Sequence, residues 1–340
     1  MEHVIKKITD YKNELDHRKS NNHKKGIGRE EFTLLLGGIS SFRRAPGIPC
    51  HMGFETLYHC ETRENEKELK NHLYRMFGIA DKDTLMRACY DRFHGSIEYE
   101  QFMTFWAGAP LFDIKRLNPD GRKNFEKRKE IASKFYPLVK EKGFYAWDIN
   151  ERIGLCRTAV AAGIISEGEF WELTDNWVKM AQVFYHSFEE YAYSCLCGAA
   201  YFMSEEDDEA GVEQFLNINL NILNELFDAG HPWDISQWYQ PPNREYASLV
   251  ERNLGCFVTK KAMESGKIGY MYREEPEPNC PDSGWRFFVG DEDDDYVNHP
   301  DNVVVVGLDT VCSINPGILA YIYAGYGRSF GYKNGAWSEE

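Results

Sequence analysis

The sequence predicts a multidomain chain of two fold classes, an all-α helical domain followed by a small α+β domain. Three observations predict it. Between residues 30 and 230 apolar side chains recur at helical spacing. The stretch "GHPWDISQWYQPPNRE", with the pair Pro241-Pro242, interrupts that pattern. Beyond it come short runs rich in aromatic and β-branched residues, set apart by turn residues. A chain of 340 residues is long for one core, and its 43% hydrophobic content is enough to fill two. The expected layout is a flexible segment over 1–29, a helical domain over 30–240, a linker over 241–254 and an α+β domain over 255–340.

The opening "MEHVIKKITDYKNELDHRKS" is polar and amphipathic, without an apolar run long enough for a signal peptide or a membrane span. Next, "RKSNNHKKGIGR" has five basic residues and no acidic one, and reads as a solvated connector rather than a nucleic-acid arm. Helices are expected over 66–77, 82–93, 99–107, 119–142 and 209–229, with Pro137 kinking or ending the fourth. Three more are announced by capping boxes, Asp148 to Glu151, Ser166 to Glu169 and Ser187 to Glu190. The first should end near Gly163, and the third carries Gly198 and Ala199 where another helix can approach closely. Their Trp and Phe stripes read as core rather than as a cofactor box.

In the second half, strands are expected over 255–260, 268–274, 284–290, 303–308 and 328–337, with Asn334-Gly335 as a hairpin turn and a short helix over 316–323. Alternation along the third strand puts Trp285 and Phe287 on one face and Arg286 and Phe288 on the other.

The net charge of −15 argues against nucleic acid as a partner, because such binding draws on clustered Lys and Arg. Nine cysteines without regular spacing give no disulfide framework, and with the missing leader they suggest a reduced, cytoplasmic protein. No cofactor or metal is expected. Cys50-His51 and His59-Cys60 lack the spacers of a closed zinc site, and Asp291 to Asp295 lacks the Gly and Glu positions of a calcium loop. Cys195 and Cys197 point to different faces of a helix and form no redox pair. No nucleophile elbow, metalloprotease or phosphate-loop motif is present, so no catalytic residue is assigned.

The pieces "GCFVTK", "SGWRFFVGDEDDDYVNHPDN", "VVVVGLDTV", "INPGIL" and "GRSFGYKNGAW", in that order, resemble bacterial immunity-protein family thirty-three, a former domain of unknown function. The resemblance implies a component of a polymorphic toxin system that neutralises a cognate toxin in the cytoplasm. The pieces "FGIADKDTL", "WDINERIGLCRTAVAAGIISEGEFWEL" and "SFEEYAYSCLCGAAYF" resemble the bacterial domain-of-unknown-function family numbered twelve sixty-six. Phe77 and Phe188 stand where that family usually has Trp, and the resemblance implies a fold without an established chemistry.

The partner reading centres on the acidic run. Residues 245–340 hold 8 Lys and Arg against 16 Asp and Glu, a field that would attract a basic toxin. The expected contact residues are Trp285, Phe288, Asp291, Glu292, Asp293, Asp294 and Asp295, aromatic anchors beside a charged rim. The alternative is an enzyme or small-ligand module whose pocket is lined by Asp148, Arg152 and Glu190 of the helical domain. Neither reading sets the oligomeric state.

Overall fold

The computed structural model describes residues 1–18, 24–43, 53–93, 114–139, 143–204, 209–239, 254–322, 324–333 and 336–340. These fall into two compact units, one helical up to Tyr239 and one built on a sheet from Leu254. The expected helix over 99–107, the linker up to residue 253, Cys50-His51 and the Asn334-Gly335 turn lie outside the described residues.

The helical unit begins with α1 (Glu2–His17), which corrects the expectation of a flexible segment over 1–29. Val4, Ile8, Tyr11 and Leu15 follow one another at helical spacing and all four are buried, so the helix is held by its apolar stripe. Lys6–Asp10 and Lys12–Asp16 pair one turn apart on its outer side. The described end of the basic stretch is also tied in. The Lys25 N–H donates to Ile235 C=O at 2.7 Å and its C=O accepts from Gln237 N–H at 2.9 Å.

Next come α2 (Arg29–Leu36), α3 (Gly38–Phe42), α4 (Arg63–Phe77), α5 (Lys82–Phe93) and α6 (Pro119–Val139), with Pro137 in the last described turn of α6. The centre of the unit is α7 (Tyr145–Ala161), buried on nearly every side and packed against α2, α3, α4 and α5. It also meets α8 (Glu167–Phe184) and α9 (Phe188–Met203). The contact with α9 is the tightest of these approaches. A Cβ on Gly198 would stand 2.3 Å from the Trp147 Cβ, so the close approach expected there depends on glycine. The unit closes with α10 (Glu209–Phe227) and α11 (Pro232–Ile235).

Two of the three expected caps are in place. Ser166 and Glu169 make the full reciprocal box at the start of α8, and the Ser187 hydroxyl accepts the Glu190 N–H at 3.1 Å at the start of α9. The third is corrected. α7 begins at Tyr145, because Phe144, Tyr145 and Trp147 are anchored in the core, and Asp148 becomes a buried residue of the first turn instead of a cap. The aromatic stripes are core, as expected; Tyr191 Oη in α9 donates to Leu36 C=O at 2.9 Å, and beside it Trp233 Nε1 donates to Leu35 C=O at 3.1 Å.

The second unit is a six-stranded sheet in the order β4-β1-β3-β2-β5-β6. Its strands are β1 (Gly255–Thr259), β2 (Tyr270–Arg273), β3 (Asp282–Phe288), β4 (Val303–Gly307), β5 (Arg328–Lys333) and β6 (Ala336–Glu339). Only β1 and β3 run parallel; every other neighbouring pair is antiparallel. The helices are α12 (Lys260–Ser265), α13 (Asp294–Val297) and α14 (Leu308–Ile314), with a 3-10 turn over Pro316–Tyr321 where a short helix was expected. One face of the sheet, carrying Val258, Met271, Trp285, Phe287 and Phe330, is buried together with Ala262, Val311, Cys312 and Ile318. The opposite face carries the candidate site.

Candidate functional site

Pleating sends the residues between those core positions to the other face. The registers align Val305, Phe257, Arg286, Tyr272 and Ser329 across it, one from each of five adjacent strands. Beside them lie Phe288, Tyr270 and Gly331. Tyr272 stacks on Phe288 with ring centroids 5.6 Å apart, and Tyr270 adds a tilted contact at 5.9 Å. Two hollows share this wall. One of about 360 Å³ is lined by Tyr270, Tyr272, Phe288, Glu292, Lys333 and Glu340; the other, of about 280 Å³, by Phe257, Tyr272, Glu274, Arg286, Phe288 and Val303.

Arg286 is the buried charge at the middle of this face. Its Nη1 and Nη2 grip both oxygens of Asp282 at 2.9 and 2.8 Å, its Nε reaches Glu274 at 2.6 Å, and the guanidinium lies 4.3 Å from the Phe257 ring centre. Burial pushes the Asp282 carboxyl up, but the bonds from Arg286 and from the Glu277 and Gly284 N–H groups outweigh it and hold it at about 2.

The acidic run forms one border of the face, and its members have separate roles. Asp291 pairs with Lys261 at 2.8 Å, which lowers its own carboxyl and raises the lysine. Glu292 accepts from Thr259 Oγ1 at 2.6 Å, Val289 N–H at 2.9 Å and Gly290 N–H at 2.8 Å. Burial raises this carboxyl, and those bonds more than offset it, leaving it below its ordinary value. Asp293 caps α13 by accepting the Tyr296 N–H at 2.8 Å. Asp294 and Asp295, in the first turn of α13, are exposed.

Of the residues expected to meet a partner, Phe288, Asp294 and Asp295 therefore present surface, and Asp291, Glu292 and Asp293 hold the border in shape. Trp285 is a correction. It is 0% exposed, and its Nε1 donates to Ile322 C=O at 3.3 Å, because alternation turns it into the core with Phe287. Sequence reading missed Tyr270, Tyr272, Phe257 and Val305. The signal for the two tyrosines was present as Tyr-Met-Tyr, one buried residue between two that share the other face.

In the helical unit, Asp148 and Arg152 are buried one turn apart on α7, and burial raises the Asp148 carboxyl to about 8 against the opposing pull of Arg152. Glu190 accepts the His186 N–H at 2.9 Å at the start of α9. Among the described residues no three His, Cys, Asp or Glu side chains converge as a metal site, and no helix is long and apolar enough to cross a membrane.

No curated protein and no solved structure matches the chain. Residues 256–339, which take in the sheet from Cys256 onward, match the family described as "Immunity protein Imm33 domain". Residues 72–238 match "Protein of unknown function (DUF1266)". The chain thus carries, in order, a region that matches DUF1266 and a region that matches the Imm33 immunity-protein domain.

Proposed function

We propose that the protein binds and neutralises a cognate toxin of a bacterial polymorphic toxin system by covering the toxin's working surface, in the cytoplasm of the cell that makes both. The observation that carries this reading is that the Imm33 match falls on a unit whose sheet has one aromatic face left uncovered by the described residues and bordered by carboxylates. Tyr270, Tyr272 and Phe288 supply rigid contact area of the kind that dominates interface energetics. Asp294 and Asp295 supply the negative field, which speeds encounter with a basic toxin more than it strengthens the final complex.

The division of labour is testable with the full chain and a catalytically inactive form of the toxic C-terminal domain of a secreted protein encoded beside it. Asp294→Asn with Asp295→Asn is expected to slow association severalfold and flatten its salt dependence, with dissociation unchanged. Tyr272→Ala with Phe288→Ala is expected to speed dissociation about tenfold or more, at nearly constant association rate. The reading fails if co-production of the full chain gives no protection from the active toxin and no complex forms with the inactive one.

A further inference from the structure

Among the described residues β4 is an outer strand of the sheet and pairs only with β1. The Leu308 N–H donates to Leu254 C=O at 2.9 Å, and this sets the phase of the ladder. In that phase Val304 and Val306 turn their hydrogen-bonding groups toward β1, and Val303, Val305 and Gly307 turn theirs outward. The Val303 N–H folds back onto Pro300 C=O. The Val305 N–H and C=O have no partner among the described residues, and its side chain is 66% exposed. Edge strands are ordinarily guarded by lysine, proline or a bulge; Val303 to Gly307 has the sequence VVVVG and pairs with β1 in unbroken register.

Charge identifies what fits this edge. A second copy pairing antiparallel about Val305 would bring Asp301, in the 3-10 turn before β4 of each chain, toward Asp309, in the first turn of α14 of the other, and like charges brought together repel. Ahead of β4, residues 290–302 contain Asp291, Glu292, Asp293, Asp294, Asp295 and Asp301 without a Lys or Arg, and the Asp301 side chain is 89% exposed. The complement is an extended segment with an apolar middle and a Lys or Arg at the end lying beside Asp301. We propose that β4 is a docking edge on which such a segment of the toxin adds as a further strand, its backbone bonded to Val305 and its basic end held by the acidic border. This rests on the toxin-binding reading above and deepens it by naming the mode of recognition.

The test uses the full chain and the same inactive toxin domain. Val305→Pro removes the outward N–H and leaves the β1 ladder intact, since proline is tolerated at an edge position of this phase. Its binding is expected to weaken about tenfold or more, while Val305→Thr, which keeps the N–H and the branched side chain, binds like the wild type. Hydrogen exchange on the unsubstituted protein supplies an independent reading: the amides of Val305 and Gly307 gain protection in the complex. If the wild type binds and Val305→Pro binds equally, or those amides stay unprotected, the edge is not the docking site and the immunity reading stands. If the wild type does not bind, the immunity reading falls and takes this proposal with it. A wild-type dimer that Val305→Pro disperses would make the occupant a second copy and overturn the proposal.

Discussion

Arg286→Ala is expected to destabilise the sheet unit by about 3–5 kcal/mol, the loss typical of breaking a buried pair from one side. The Asp282 side chain is 3% exposed and both its oxygens are held by Arg286, so removal of the arginine leaves a buried carboxylate with only two backbone donors. It also strips the charge from beneath Phe257 and frees Glu274, loosening the wall of the 280 Å³ hollow that all three line. Adding Asp282→Asn to Arg286→Met should recover a large part of the loss, because no unpaired charge then remains. Native-state hydrogen exchange at the β1 and β3 amides measures the effect. Unchanged protection in Arg286→Ala would show that the ion pair is dispensable. The wild type should also lose stability at low pH through this site. A folded carboxyl held at about 2, below its unfolded value, contributes stability that is present above about pH 4 and disappears as pH falls toward 2.

Asp148→Asn is expected to work in the opposite direction on the helical unit. Burial lifts the folded Asp148 carboxyl to about 8, and Oδ2 has no hydrogen-bond partner among the described residues. The folded state therefore binds a proton that the unfolded state releases near pH 4. The contribution of this group is fully present below about pH 4 and falls by roughly 1.4 kcal/mol per pH unit until about pH 8. Asparagine cannot ionise, so the variant should gain on the wild type steadily through that window and hold its advantage above it. Urea denaturation at several pH values gives the comparison directly. Parallel curves for the two proteins would mean that Asp148 is already ionised in the folded state.

Local chemistry was legible in the sequence wherever it decided the structure. The Ser166 box depends on residues three positions apart, and the split of Trp285 and Phe287 from Arg286 and Phe288 depends on pleating alone. Features that depend on distant partners were not. The stripe of α1 looks like that of any amphipathic segment until a surface exists to bury it. Asp148 reads as a cap because its spacing to Glu151 is right, and only the anchoring of Phe144, Tyr145 and Trp147 moves the helix start upstream. Likewise, nothing local in four valines says that they form the margin of a sheet. That follows from the pairing of β1 with β3, residues nearly thirty positions apart.

The Glu292 carboxylate, bonded at once to the end of β1 and to the turn after β3, has a consequence for the cost of association. A long acidic loop would ordinarily lose motional freedom on meeting a partner, and that loss would subtract from affinity. Here the freedom is already surrendered when the chain folds. Asp294 and Asp295 wait on a rigid mount, so little of the attraction they exert on an approaching cation is consumed in ordering the loop that carries them.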